Sequence, residues 1–137
     1  MPSADVCVFG ATAGGVVAAV AAAGESASVV LLNPRTHVGG MLNGGLSRTD
    51  IERQEAVVGG LAREVFARIG ANYGEPLAWR FEPHVAEQVL TNWLAEAGVA
   101  VTDNFELAST DVQRRRIRTA SSATGVTAEA GIWIDWS

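Results

Sequence analysis

The sequence predicts an α/β fold in which a mostly parallel sheet carries inserted helices and a small antiparallel β-meander. Three observations predict it. A short apolar run, Val6 to Phe9, is followed by a glycine-rich turn and an Ala/Val-rich segment, Val16 to Ala23. A second apolar run, Ser28 to Leu32, comes next, and continuous runs of this kind are typical of parallel strands covered on both faces. After residue 99 the pattern changes to short β segments.

The glycine turn between the first strand and the first helix predicts an anion site. Gly10 ends the strand, and Gly14 and Gly15 open the helix, which we expect to end at Gly24 with that residue in the left-handed conformation. Strand, turn and helix in this order present free backbone N–H groups that suit a pyrophosphate. The spacing departs from G-x-G-x-x-G at its middle glycine, where Thr12 stands. An ordinary βαβ unit without a ligand is the alternative.

Asn33 ends the second strand, about 20 residues after the turn, where a ribose-binding residue is expected. An acidic residue at this place would accept hydrogen bonds from both ribose hydroxyls. Asn33 accepts only through its amide oxygen and carries no charge.

Composition limits the class of protein. The 137 residues, 48% of them hydrophobic, suit one globular domain, and the net charge of −5 argues against binding to nucleic acid. Cys7 is the only cysteine, so we expect a small buried hydrophobe, no metal site and a reducing cytoplasm. No positive side chain precedes Arg35, and Val16 to Ala23 is too short to span a bilayer, so we expect neither a signal peptide nor a membrane partner.

The middle of the chain reads as a loop and two helices. The loop, Pro34 to Asp50, holds two Gly-Gly pairs, 39–40 and 44–45, which let backbone approach a ligand closely. Arg35 suits a phosphate or a solvated surface, and His37 is a loop polar group rather than a base, since it shows no partner. Apolar spacing predicts one helix over Glu55 to Ile69, stopped by Gly70, and another from Pro83 to Gly98. His84, in the first turn of the second helix, is a surface residue or faces a ligand.

Short strands make up the last third of the chain. We expect a strand at Val99 to Val101, a meander and a final buried strand at Gly131 to Asp135. The arginine run within the meander (Arg114, Arg115, Arg116, Arg118) reads as a solvated hairpin. The predicted meander strands are Phe105 to Ser109, Ile117 to Ala120 and Gly125 to Ala128. The single domain, 1–137, therefore divides into a βαβ core (1–33), a loop with two helices (34–98) and short strands (99–137).

Several stretches together resemble the FAD-dependent oxidoreductases, and most closely a bacterial group labelled xanthan-lyase-like. The stretches are Val-Phe-Gly-Ala-Thr-Ala-Gly-Gly, Val-Val-Leu-Leu-Asn-Pro, His-Val-Gly-Gly-Met-Leu-Asn-Gly-Gly-Leu, Phe-Glu-Pro-His-Val-Ala-Glu and the closing Ile-Trp-Ile-Asp. The likeness covers nearly the whole chain.

The resemblance implies a Rossmann-like, FAD-binding fold with FAD as cofactor. Gly10, Gly14 and Gly15 would hold the pyrophosphate, with Thr12 in place of a glycine and Ala13 beside it. Asn33 and the adjacent Pro34 would stand at the ribose position. The residues that would line the pyrophosphate and flavin side are Arg35, Gly39, Gly40 and Met41.

In the family, the strand that matches Ile132 to Asp135 continues into small residues and a Gly-Asp motif, whereas Trp136 and Ser137 follow here. The resemblance therefore predicts an N-terminal, apparently truncated portion of a flavin-dependent oxidoreductase, whose complete form takes an unknown small-molecule substrate. The catalytic residues stay unassigned. We expect the 137 residues alone to bind FAD weakly or not at all, to self-associate through an exposed C-terminal strand, and to show no turnover. The alternatives are an inactive nucleotide-binding or interaction module left by truncation, and an NAD-binding Rossmann enzyme.

Overall fold

A computed structural model describes residues 3–45 and 48–137, and these residues form six strands, three α-helices and two short 3₁₀ turns. Leu46 and Ser47 of the predicted 34–50 loop lie outside the described residues. The strands are β1 (Ser3–Phe9), β2 (Val29–Leu32), β3 (Ala100–Thr102), β4 (Leu107–Gln113), β5 (Arg116–Ser122) and β6 (Thr127–Asp135). The α-helices are α1 (Ala13–Gly24), α2 (Gly60–Ala71) and α3 (Pro83–Glu96), and the 3₁₀ turns span Gly40–Leu42 and Glu52–Val57.

The strands form one six-stranded sheet in the order β3-β2-β1-β6-β5-β4. β1 lies parallel to β2 and β6, and β2 lies parallel to β3. β4, β5 and β6 pair antiparallel. The α/β prediction, with a parallel sheet and a β-meander, is confirmed.

The sequence prediction divided β6 into two strands, and that division is wrong. One nine-residue strand pairs with β5 through Thr127 to Ser121 and continues along β1 as far as Asp135 opposite Phe9. Gly131, where the predicted final strand began, lies inside β6, and a Cβ there would make only an ordinary contact, 3.4 Å from the Asp5 carbonyl oxygen.

Each face of the sheet carries its own core. On one face, Val8 and Leu31 pack beneath the helices against Val16, Ile69 and Leu90. The core on the other face is built by side chains of β1, β2, β5 and β6 and by one loop residue after β3. Its residues are Cys7, Val30, Leu32, Phe105, Ala120, Ala128 and Ala130. Cys7 is buried, which confirms the prediction of a small buried hydrophobe, and this burial raises the pKa of its thiol to about 12.

The end of the predicted first helix needs a correction. Gly24 is its last helical residue rather than a left-handed cap, and the left-handed conformation falls instead on Ser26, at φ 65°. The third helix follows the prediction, since it starts at Pro83 and is followed by Gly98 at φ 73°.

The second helix departs from its prediction at both ends. α2 starts at Gly60, because Gly59 is extended and separates the helix from the preceding 3₁₀ turn. Val57 lies on that turn, with 77% of its surface exposed. Gly70 does not stop the helix. It is buried within it, where a Cβ would lie 2.6 Å from the Glu75 carbonyl oxygen.

The final strand exposes fewer apolar side chains than its sequence suggests. Ile132 and Trp136 are 58% and 50% exposed. Trp133 and Ile134 are half-buried and pack against the two cores. None of the described helices is long and apolar enough to cross a membrane.

Candidate functional site

The glycine turn brings strand β1 and helix α1 together backbone to backbone. Gly10 adopts φ 100°, and its N–H donates to the Leu32 carbonyl at 2.9 Å, which ties the turn to β2. A Cβ at Gly15 would overlap the Gly10 carbonyl oxygen. Only glycine therefore fits at position 15, as the sequence pattern predicts.

Thr12, which replaces the middle glycine of the motif, caps the helix. Its Oγ1 accepts from the Gly15 N–H at 3.2 Å, and its carbonyl accepts from the Val16 N–H at 2.9 Å. The N–H of Gly14, the residue before these two, has no acceptor within residues 3–45 and 48–137. A helix N-terminus with an unused donor attracts an anion.

The Gly-Gly loop lies directly against this turn. The Gly39 N–H donates to the Ala11 carbonyl at 2.7 Å, and Gly39 and Gly40 adopt φ 122° and 55°. A Cβ at Gly40 would lie 3.3 Å from Thr12. The positive φ angles and the close approach explain why this segment needs adjacent glycines.

A cleft of about 420 Å³ opens between the turn and the loop. Five of the predicted cofactor-binding residues line it: Thr12, Ala13, Gly14, Gly39 and Met41. The other residues of its wall are Leu42, Arg48, Thr49, Phe81 and Trp136. Gly10 and Gly15 lie behind this wall and shape the turn.

An apolar groove of about 380 Å³ adjoins the cleft between α1 and α2. The residues that line both are Ala13, Gly14, Leu42 and Trp136. The rest of its wall, which includes Val17 and Phe66, is almost entirely apolar.

Sequence reasoning missed Trp136 as a site residue. Its N–H donates to the Phe9 carbonyl at 2.8 Å, and its carbonyl accepts from Thr12 Oγ1 at 3.1 Å, so the backbone is fixed over the glycine turn. Its ring covers Gly14, where a Cβ would lie 2.8 Å from the indole. No spacing signal pointed to this contact, because 124 residues separate Trp136 from Thr12.

Asn33 is buried, and its side chain holds the loop that follows β2. Its Nδ2 donates to Asp103 Oδ1 at 2.8 Å and to the His37 carbonyl at 3.3 Å, and its Oδ1 accepts from the Arg35 N–H at 3.2 Å. Pro34 is half-buried and Arg35 exposed, and none of the three residues 33–35 lines the cleft. Their contact with a cofactor stays a prediction.

His37 has a partner that its sequence context did not reveal. Its Nδ1 lies 3.0 Å from Glu87 Oε1 on α3, and the same carboxylate oxygen accepts from the Val38 N–H at 3.0 Å. His37 is 81% exposed. The arrangement fixes the start of the Gly-Gly loop on α3. His84, on the same helix, is exposed.

Comparison with known proteins supplies the family. The profile of the family described as FAD dependent oxidoreductase matches residues 5–137. The chain belongs to this family. The likeness to FAD-dependent oxidoreductases that the sequence motifs predict is therefore confirmed at the level of the family, and no curated protein matches the chain.

Solved structures of larger proteins share the fold. L-proline dehydrogenase from P. horikoshii superposes with a TM-score of 0.70 at 13% identity, over 100% of this chain and 54% of that one. The FAD-dependent myxobacterial chondrochloren halogenase CndH gives 0.67 at 16% identity, over 100% and 38%. A flavin-containing monooxygenase from Stenotrophomonas maltophilia gives 0.66 at 15% identity, over 99% and 38%. The chain thus spans between 31% and 57% of the length of such structures.

Proposed function

We propose that the cleft between the glycine turn and the Gly39–Met41 loop holds the pyrophosphate of FAD, and that the chain is the FAD-binding portion of a flavin-dependent oxidoreductase. One observation carries the proposal. Gly14, whose N–H has no acceptor in the described part of the chain, lines the same cleft as four other residues that the motifs predict. Family membership supports FAD over NAD.

The residues present fit a pyrophosphate. The N-terminus of α1 carries a partial positive charge, and Arg48 adds a guanidinium to the cleft wall. Gly39 brings backbone rather than a side chain to the opposite wall. Gly40 does not line the cleft but packs closely against Thr12. When bound, FAD supplies the redox chemistry, while the protein binds and orients it.

The xanthan-lyase-like group is our proposal for the subfamily. Two of the motifs that carry the likeness meet in the structure, since Glu87 of Phe-Glu-Pro-His-Val-Ala-Glu holds His37 and Val38 of His-Val-Gly-Gly-Met. The substrate is a small molecule taken by the complete protein, and we assign no catalytic residue. We propose a cytoplasmic location, since a single cysteine suits a reducing compartment.

The test uses a substitution that should weaken ligand binding without destabilising the fold. Ala13→Glu places a carboxylate in the first turn of α1, where the helix dipole stabilises it, while it repels a pyrophosphate in the cleft. Ala21→Glu makes the same charge change on an exposed position of the same helix, about two turns away.

FAD titrations by equilibrium dialysis compare the three chains. We expect weak binding by the unmodified chain, a dissociation constant about tenfold higher or more for Ala13→Glu, and little change for Ala21→Glu. Equal FAD affinity of Ala13→Glu and Ala21→Glu would contradict the placement of the pyrophosphate in this cleft. Circular dichroism of each variant checks that it is folded.

A further inference from the structure

A cluster of basic side chains lies outside the cleft, on the hairpin that joins β4 and β5. Arg114 and Arg115 form the turn, and Arg116 and Arg118 follow on β5. All four are exposed. Three of them, together with Gln113, line a depression of about 400 Å³: Arg114, Arg116 and Arg118.

Two of the three arginines of this depression have no carboxylate partner among the described residues. The carboxylate nearest to Arg118 is that of Glu129, 3.8 Å away with both side chains about half exposed. Arg114 and Arg116 have no carboxylate within 4.0 Å among the described residues. Asp111, the acidic residue closest in sequence, accepts instead from Gln113 Nε2 at 2.9 Å. A local excess of positive charge therefore stands in a chain whose net charge is −5.

The turn adopts a conformation that arginine does not favour. Arg114 and Arg115 lie at φ 50° and 65°, the left-handed region at both central positions of a two-residue hairpin. Asn-Gly and related pairs occupy such turns because they tolerate positive φ. Of the two, Arg114 lines the depression, so its charge stands there at the expense of local stability, and strained residues of this kind cluster at ligand sites.

The hairpin points toward the same end of the sheet as the glycine turn. β5 runs antiparallel to β6 and pairs with its first residues, Thr127 to Glu129. The start of β5 therefore points in the direction in which β6 runs along β1 to Phe9. A ligand held by the arginines would sit at the end of the sheet where β1 leads into the cofactor cleft.

We propose that the depression formed by Gln113, Arg114, Arg116 and Arg118 is a second anion site, separate from the FAD cleft, that binds a compact ligand bearing two or more linked phosphate groups. Guanidinium groups bind phosphate oxygens through paired N–H donors, and three of them around one depression suit more than one phosphate. The size of the depression suits a small molecule. A long polyanion such as a nucleic acid is disfavoured, because the acidic remainder of the protein would repel it.

The test is pyrophosphate binding measured by equilibrium dialysis in the Ala13→Glu background, so that the FAD cleft does not contribute. One variant adds Arg114→Gln and Arg116→Gln. The matched control adds Arg53→Gln and Arg63→Gln, which remove the same charge from two exposed arginines elsewhere. Circular dichroism confirms that both variants fold, and inorganic phosphate is titrated alongside.

We expect the hairpin variant to raise the pyrophosphate dissociation constant about tenfold or more, the control to change it less than about twofold, and single phosphate to bind about tenfold more weakly than pyrophosphate. Equal losses of pyrophosphate affinity in both variants would show a general effect of net charge and would contradict a site at the hairpin. Equal affinity for phosphate and pyrophosphate would overturn the requirement for two phosphates. Neither result bears on FAD binding, which the Ala13 variants test separately.

Discussion

The glycines of helix α1 differ in what a side chain at their position would meet. At Gly15 a Cβ would overlap a backbone oxygen that nothing can move aside, whereas at Gly24 it would meet nothing within 4 Å. Both residues belong to α1, and neither has a positive φ. Packing of the helix against the turn thus makes one position sensitive to substitution and leaves the other tolerant.

We therefore predict opposite outcomes for two alanine substitutions in one helix. Gly15→Ala should lower the free energy of unfolding by roughly 1–3 kcal/mol or more, because the helix must shift from the turn. Gly24→Ala should change it by no more than about 1 kcal/mol, and toward greater stability. Chemical denaturation of both variants makes the comparison, and equal destabilisation would refute the close approach at Gly15.

Asn33 provides a second prediction at the scale of the residue. Asn33→Asp removes the donor to Asp103 and sets a carboxylate against that side chain, so we expect roughly 1–3 kcal/mol of lost stability at neutral pH. Asn104→Asp, an exposed change of the same charge in the neighbouring loop after β3, should cost little. Denaturation midpoints at pH 7 test this. Full stability of Asn33→Asp would mean that the amide does not hold the loop.

How far residues were predictable depended on whether a local pattern specified them. Gly15 follows from the spacing of a strand, a turn and a helix. The capping role of Thr12 and the contact of Trp136 depend on partners that come together only in the folded chain. His37 likewise found Glu87 across 50 residues.

At the scale of elements, continuous apolar runs predicted β1 and β2 well, and a first-turn proline with a following glycine predicted α3. Three failures concern glycines. The strand start predicted at Gly131, the helix stop at Gly70 and the helix across Gly59–Gly60 are all wrong. Gly70 serves a close approach to the Glu75 carbonyl oxygen, and sequence alone does not show a neighbour that comes near only in the folded chain.

The β4–β5 hairpin gives a prediction at this scale. Arg115 takes φ 65° but does not line the arginine depression, so Arg115→Gly should stabilise the protein by about 1 kcal/mol through relief of the left-handed strain. Arg115→Ala removes the same charge and keeps the strain, so it should bring no gain. Thermal or chemical unfolding of both variants distinguishes turn strain from charge repulsion. A gain only in Arg115→Gly indicates strain, and equal gains in both variants would indicate charge repulsion instead.

At the scale of the molecule, the exposed apolar side chains predict self-association. Met41 is 89% exposed and Ile132 58%, and an apolar groove runs beside the cleft. Large exposed apolar surfaces favour association with another protein surface. We expect light scattering after size exclusion to give a mass above that of the 14.3 kDa monomer.

Ile132→Thr should reduce that mass while keeping a side chain that suits a strand. Val57→Thr, on the 3₁₀ turn, serves as the matched control. A monomeric unmodified chain, or equal effects of both substitutions, would contradict association through the final strand.

The most direct test of the account is hydrogen–deuterium exchange of this chain with and without saturating FAD. The proposed site predicts slower exchange in two segments that are far apart in sequence and adjacent in the fold, residues 10–17 and 38–42, with little change at residues 113–118. Protection confined to other segments, or no protection at FAD concentrations that dialysis shows to be saturating, would contradict the assignment of the cleft to the cofactor.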